Sequence, residues 1–297
     1  MDSRDDKPKE GQTKLTVKPV VDKDGNTHAF WSFEDSKIKD MYDDSVPTKK
    51  ERRENLDNVT VSCDHCEKTL RRADIKVCSR CKNARYCSPE CQKSHWRKHK
   101  ADCGPGHCTI LKLAERSLAV PALMEYLIFA AILHLDLITA PDNAGTHFIH
   151  VHCTLQPADI SSYLQRLLSG GPEDDNPEQM VAYSKIEKIS KEDAPERTRK
   201  CDTAFRQSYK GALPVITIWF TAEDGGGTQG EVSKTMEIPL GMLTYVKEKG
   251  TMKSRSSMLG DTEYPLDAET LREAINNHIG MDKPNQMRLR VKKKSIK

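Results

Sequence analysis

Eight cysteine and histidine residues are spaced through residues 63–103 as Cys63-x2-Cys66, Cys78-x2-Cys81, Cys87-x3-Cys91 and His99-x3-Cys103. A Cys-x-x-Cys turn aims two thiolates at one point about 2.3 Å from each sulfur, and an i, i+4 pair does the same from one helix face. Four such pairs supply the ligands of two tetrahedral zinc ions. A full set of four leaves no coordination position for water or substrate, so the two ions are expected to be structural. The ligands are separated by few large apolar side chains, and so short a stretch cannot build a core; metal has to supply its folding energy.

Ten cysteines would also suit a secreted disulfide framework. The opening run Met1-Asp2-Ser3-Arg4-Asp5-Asp6 is charged, however, and lacks the apolar stretch of a signal peptide. The expected setting is therefore intracellular, nuclear or cytoplasmic, where clustered cysteines are metal ligands. No membrane span is expected, because the apolar run from Tyr126 to Leu135 is half the needed length and is flanked by Glu125 and Asp136. A net charge of +3 argues against a protein that coats nucleic acid, so any electrostatic role rests on local clusters.

Four segments follow from the changes in composition. Residues 1–60 are dense in both charge signs and read as a disordered or weakly structured arm, with a weak hairpin signal at Asp24-Gly25 and an aromatic patch at Phe30–Phe33. Residues 61–104 are the zinc module. In it Ser88 suits a helix N-cap, Pro89 the first helical position and Glu90 the helix dipole, with the helix running to about Cys103. Residues 105–290 read as an α+β domain, and 291–297 end a basic tail that begins near Arg288 and Arg290.

Within the α+β domain, Pro121 starts a helix with a broad apolar stripe, and His147–Leu155 alternates as a strand. A helix is expected over residues 157–168, and 180–189 is ambiguous between strand and helix. Residues 213–221 are the strongest strand, with 232–238 as hairpin partner after the Gly225–Gly227 turn. A short helix is expected at 240–246, mobile loop at 250–262, and a helix capped by Asp267. His150 and His152 share a strand face, with His147 nearby; they suit a metal or acid–base pair, or an ordinary solvent-facing side, and no carboxylate partner is placed by sequence.

The ligand ladder, together with Ala84-Arg85-Tyr86-Cys87, Cys91-Gln92, Trp96 and His99-Lys100, resembles a MYND-type zinc finger. Spacing alone leaves open which four ligands share an ion. The resemblance implies a cross-braced pairing, with Cys63, Cys66, Cys87 and Cys91 on one zinc and Cys78, Cys81, His99 and Cys103 on the other. His65 and His95 are thereby left outside the ligand sets, and Cys108 is expected to be a free thiol.

MYND fingers are protein-interaction modules, so the resemblance implies a protein partner carrying a proline-containing, Pro-x-Leu-x-Pro-like peptide. Ser79, Gln92 and Trp96 match the positions of its docking groove. Trp96 as filler of the module's small core is the plainer alternative. Arg71, Arg72, Arg80, Lys82, Arg85, Arg97, Lys98 and Lys100 make the finger basic, which suits an acidic-flanked peptide.

The expected function is a non-enzymatic adaptor, in transcriptional or other regulatory complexes. Two other readings are open. MYND fingers also occur inserted in SET-type lysine methyltransferases, but Asn-His-Ser-Cys-like and Gly-Glu-Glu-Leu-like cofactor motifs are not found; Asn276–Gly280 is only an echo. A nucleic-acid-binding regulator is permitted by the basic clusters, without a recognition-helix motif or stacking aromatics. In overall style the chain resembles a fungal-type MYND protein, a finger followed by an uncharacterised C-terminal domain.

Overall fold

A computed structural model of the chain describes residues 13–21, 25–35, 42–43, 45–82, 84–103, 109–169, 178–223, 232–256 and 260–292. The alternating run His147–Pro157 forms the middle strand, β7, of a five-stranded sheet. Glu178–Ser190 (β8) pairs with it antiparallel and Val215–Ala222 (β9) parallel. Val232–Glu237 (β10) and Arg290–Lys292 (β13) close the edges, giving the order β10-β9-β7-β8-β13. The ambiguity over residues 180–189 resolves as strand because the segment is hydrogen-bonded to β7 on one side and β13 on the other.

One face of the sheet is apolar, and Ile149, Val151, Cys153, Val181, Ile216 and Ile218 bury there beneath three helices. Those are α3 (Thr109–Ser117), α4 (Pro121–His134) and α9 (Ala268–Met281). Pro121 occupies the first turn of α4, whose apolar side chains from Leu123 to Ile132 are buried on almost every side. Asp267 caps α9 by accepting from the Thr270 N–H at 2.8 Å. The short helix α8 (Leu240–Lys249) ends at Gly250, whose φ of +62° is the left-handed C-terminal position that favours glycine. No single helix among the described residues is long and apolar enough to cross a membrane.

Other segments depart from the sequence expectations. Glu196–Ser208 is a helix, α7, where none is signalled, because its inward side is polar: Thr198 and Asp202 are buried. The Asp202 carboxylate accepts from Lys191 Nζ at 2.7 Å and from Arg206 Nε and Thr217 Oγ1 at 2.8 Å, which satisfies the buried charge. Residues 250–262, expected as mobile loop, fall largely within the hairpin Thr251–Ser256 (β11) and Gly260–Pro265 (β12). Arg290 is not part of a solvated tail: it is 7% exposed on β13 and donates to the Gly280 carbonyl at 2.8 Å.

The polar arm also carries local structure. Thr13–Val21 (β1) and Thr27–Asp35 (β2) form an antiparallel hairpin turning near Gly25, where the hairpin signal lay. Lys49–Asp57 is a helix, α1, opened by a reciprocal cap in which Thr48 Oγ1 accepts from the Glu51 N–H and the Glu51 carboxylate accepts from the Thr48 N–H. Tyr42 and Val59, at either end of this helical region, are buried in the main core. Replacing the cap, Thr48→Ala, is expected to lower stability by about 1 kcal/mol, visible as a lower urea midpoint at unchanged slope. Cys108, residues 170–177, the Gly225–Gly227 turn and residues 293–297 lie outside the described residues, as do the side chains of Phe30–Phe33.

Candidate metal centre

Two short hairpins and one helix position the eight ligands. Thr60–Ser62 (β3) and Thr69–Arg71 (β4) pair across a turn that holds Cys63 and Cys66, and Lys76–Val77 (β5) and Arg85–Tyr86 (β6) pair across one that holds Cys78 and Cys81. The turns are built alike. In each, the residue after the second cysteine, Glu67 or Lys82, donates its N–H to the carbonyl of the first and has a positive φ of 61° or 56°. The chain then enters helix α2 (Pro89–Asp102), where Ser88 Oγ accepts from the Cys91 N–H at 3.3 Å and Pro89 occupies the first turn. Cys91, His99 and the C-cap residue Cys103 project from this helix toward the turns.

The fold gathers Cys63, Cys66, Cys87 and Cys91 in one cluster and Cys78, Cys81, His99 and Cys103 in another, each with its ligand atoms within 4.8 Å of one another. This is the pairing the resemblance implies. Around a tetrahedral zinc, sulfurs about 2.3 Å from the metal stand about 3.8 Å apart. Sγ–Sγ separations of 3.5 Å for Cys66–Cys87, 3.4 Å for Cys87–Cys91 and 3.7 Å for Cys78–Cys103 fit that geometry, as does 3.5 Å from Cys81 Sγ to His99 Nε2. Two clusters of this composition fit two structural zinc ions. His65 and His95 belong to neither; His95 Nδ1 lies 3.2 Å from the Tyr86 hydroxyl instead.

The clusters differ in exposure and in charge. The second is wholly buried, whereas Cys66 of the first is exposed. Burial opposes ionisation of Cys78, yet the Cys81 N–H and the His99 ring bring its thiol down to about 6. Neighbouring thiols do the opposite to Cys87, pushing it up to about 12, with Cys91 the largest contributor. Thiols this crowded cannot all ionise against one another, and a divalent cation removes that conflict.

The module is not a freely hung bead. Val61 and Val59, on and beside β3, belong to the same core as the sheet domain. From α3, the buried Glu115 carboxylate accepts from Arg72 Nε at 2.8 Å and pairs with the Arg85 guanidinium. Arg197 of α7 donates to the Ser62 carbonyl at 2.8 Å and pairs with Asp64. Sequence reasoning gave Glu115 no role, since its partners lie 43 and 30 residues away. Of the proposed groove residues, Ser79 is exposed, Gln92 half-buried, and Trp96 39% exposed.

Comparison with known proteins covers the same segment. Residues 63–103 match the model of the MYND finger family. The human N-lysine methyltransferase SMYD2 is 46% identical over 43 residues, 14% of this chain and 10% of that protein. SET domain-containing protein 14 of Caenorhabditis elegans is 40% identical over 47 residues, 16% of this chain and 10% of that protein. Ubiquitin carboxyl-terminal hydrolase 19 of Arabidopsis thaliana is 45% identical over 53 residues, 18% of this chain and 7% of that protein. The chain thus spans about a tenth or less of the length of these relatives. No solved structure matches. Residues 63–103, with their two Cys/His clusters, are a MYND finger, a zinc-binding module of protein interaction.

Proposed function

We propose that this protein is an adaptor whose finger docks a proline-containing, Pro-x-Leu-x-Pro-like segment of a partner protein on Ser79, Gln92 and Trp96. The observation that carries the reading is the state of Trp96. Its indole is 39% exposed, too open for a core filler, and rests edge-on against the buried ligand His99 with ring centroids 6.0 Å apart. An aromatic face anchored on a metal ligand is a rigid platform for proline rings, and Gln92 one turn earlier offers an amide to the peptide backbone.

The charge around this platform is smaller than the composition suggests. Arg72 and Arg85 turn inward to Glu115, and Arg71 pairs with Asp74 at 3.0 Å. Arg80, Lys82, Arg97, Lys98 and Lys100 remain exposed, enough to favour a peptide with acidic flanks. No catalytic step is assigned to the chain, because the relatives with enzymatic names share only the finger with it. A nuclear or cytoplasmic setting accompanies the proposal.

A labelled Pro-x-Leu-x-Pro peptide titrated with the full chain tests it. Truncating an aromatic anchor removes about 2 kcal/mol or more of binding, so Trp96→Ala should weaken affinity about thirtyfold while two zinc ions stay bound. Unchanged affinity would sink the peptide reading. Loss of zinc in the variant would instead make Trp96 part of the module's core.

A further inference from the structure

Outside the finger, the register of the central sheet assembles a further group of metal-ligating side chains. His150 and His152 are two residues apart on β7 and therefore share a face. Glu187 of β8 lies directly opposite His150, while Trp219 and Thr221 of β9 flank His150 and His152 on the other side. The β7–β8 pairing slips between His152 and Cys153, leaving Ser184 as the extra residue; Ser184 Oγ donates to the His152 carbonyl at 3.1 Å. Bulges of this kind re-aim side chains and are over-represented beside functional sites.

The side chains converge. His152 Nε2 is 2.7 Å and His150 Nδ1 3.7 Å from Glu187 Oε1, and one ligand atom from each residue lies within 4.8 Å of the other two. We propose that His150 Nδ1, His152 Nε2 and the Glu187 carboxylate form a third metal site, a three-ligand N2O centre for a divalent first-row ion such as Zn2+, with a coordination position left for water or a small anion.

The donor set is the first reason. Two imidazoles and one carboxylate suit zinc with an open position, and an imidazole nitrogen and a carboxylate oxygen each about 2.0–2.2 Å from a tetrahedral ion stand about 3.4 Å apart. The separations of 2.7 and 3.7 Å bracket that value, so closure on an ion needs only shifts of some tenths of an ångström. The second reason is the supporting layer. His150 Nε2 lies 2.8 Å from Thr221 Oγ1, which leaves Nδ1 turned to the cluster, and Trp219 stacks on its ring at 4.1 Å. Lys185 Nζ holds Glu187 Oε2 at 2.6 Å and leaves Oε1 to the imidazoles. Ligands oriented from outside in this way are a common property of metal centres.

Accessibility agrees with it. The side chains of His150, His152 and Glu187 are 12%, 22% and 30% exposed, so an ion can enter. Trp219 Nε1, on the ring stacked against His150, is a buried donor without an acceptor among the described residues.

The test is a metal count on the full chain with its finger loaded. After equilibrium dialysis against Zn2+, the wild type should hold one equivalent more than Glu187→Gln and His152→Ala, each of which keeps the two finger ions. A wild type that stops at two ions overturns the site, and so does a third ion that survives both substitutions. Cobalt gives a reading that needs no variant. Added to the chain holding zinc in its two finger sites alone, one equivalent of Co2+ in an N2O site shows weak visible bands, whereas an intense sulfur-to-cobalt band would place the ion on cysteine and overturn the site.

Discussion

Chelating the zinc from the full chain unfolds residues 63–103, with loss of helix α2 from the far-ultraviolet circular dichroism and a change in Trp96 fluorescence. The reason is the content of the module's own core. Its fully buried members are Cys63, Cys78, Cys81, Ala84, Tyr86 and Cys103, so only Ala84 and Tyr86 are not themselves ligands. Structural zinc contributes on the order of 10–16 kcal/mol in comparable modules, as much as the whole stability of an ordinary domain. Without the ion, the hydrogen bonds from neighbouring thiols that push Cys87 up to about 12 keep it protonated, and weak thiol contacts cannot replace the metal.

The sign of the pH dependence follows from the same ligands. Cys78 is brought down to about 6 from an ordinary thiol value of 9, so its contribution is present at higher pH and is lost as pH falls through about 6. Zinc binding releases protons, and acid therefore competes with the metal. Zinc should be retained at neutral pH and released progressively in more acid solution, with α2 melting in step. A helical signal unchanged after metal analysis shows both ions gone would defeat this account.

The finger was legible because its chemistry is written in spacing. Four ligand pairs, the Ser88-Pro89-Glu90 helix start and the positions of Trp96 and Gln92 can all be read along a continuous stretch. The apolar helix α4, strands β7 and β9, the hairpin to β10 and the Asp267 cap were legible for a related reason, their periods being carried by large apolar residues. Helix α7 was not, since what it buries is Thr198 and Asp202, and a polar inward side leaves no hydrophobic period. The Thr48–Glu51 capping box was present in the sequence, but the charged, apolar-poor run after it masked the helix.

Partners set by tertiary register were beyond sequence reading. His150 and His152 could be placed on one strand face, but Glu187 reaches them only through a β7–β8 register that includes a bulge. Arg290 looked like the start of a basic tail until its strand paired with β8 and its guanidinium turned to the Gly280 carbonyl. In each case the local pattern was available and the long-range pairing was not.

Glu115→Ala should be among the most damaging single substitutions outside the zinc ligands. Glu115 is 3% exposed on α3, and its two oxygens face two arginines of the finger region, Arg72 at 2.8 Å and Arg85. Removing one partner of a buried ion pair leaves an uncompensated charge and costs about 3–5 kcal/mol. Arg85 bears most of this, with its side chain 15% exposed against 38% for Arg72, which can turn to water. It also stands on β6 between the ligands Cys81 and Cys87, with its N–H donated to Asp64 at 2.7 Å. The seam with the sheet domain and the inside of the finger therefore share one residue. The urea midpoint should fall while two zinc ions remain bound, because metal holds the finger and Glu115 holds the seam. Glu115→Ala combined with Arg85→Ala should recover part of the loss, since no buried guanidinium is then left unpaired. Equal stability of Glu115→Ala and wild type would mean that the apolar contacts of Val59 and Val61 join the two parts unaided.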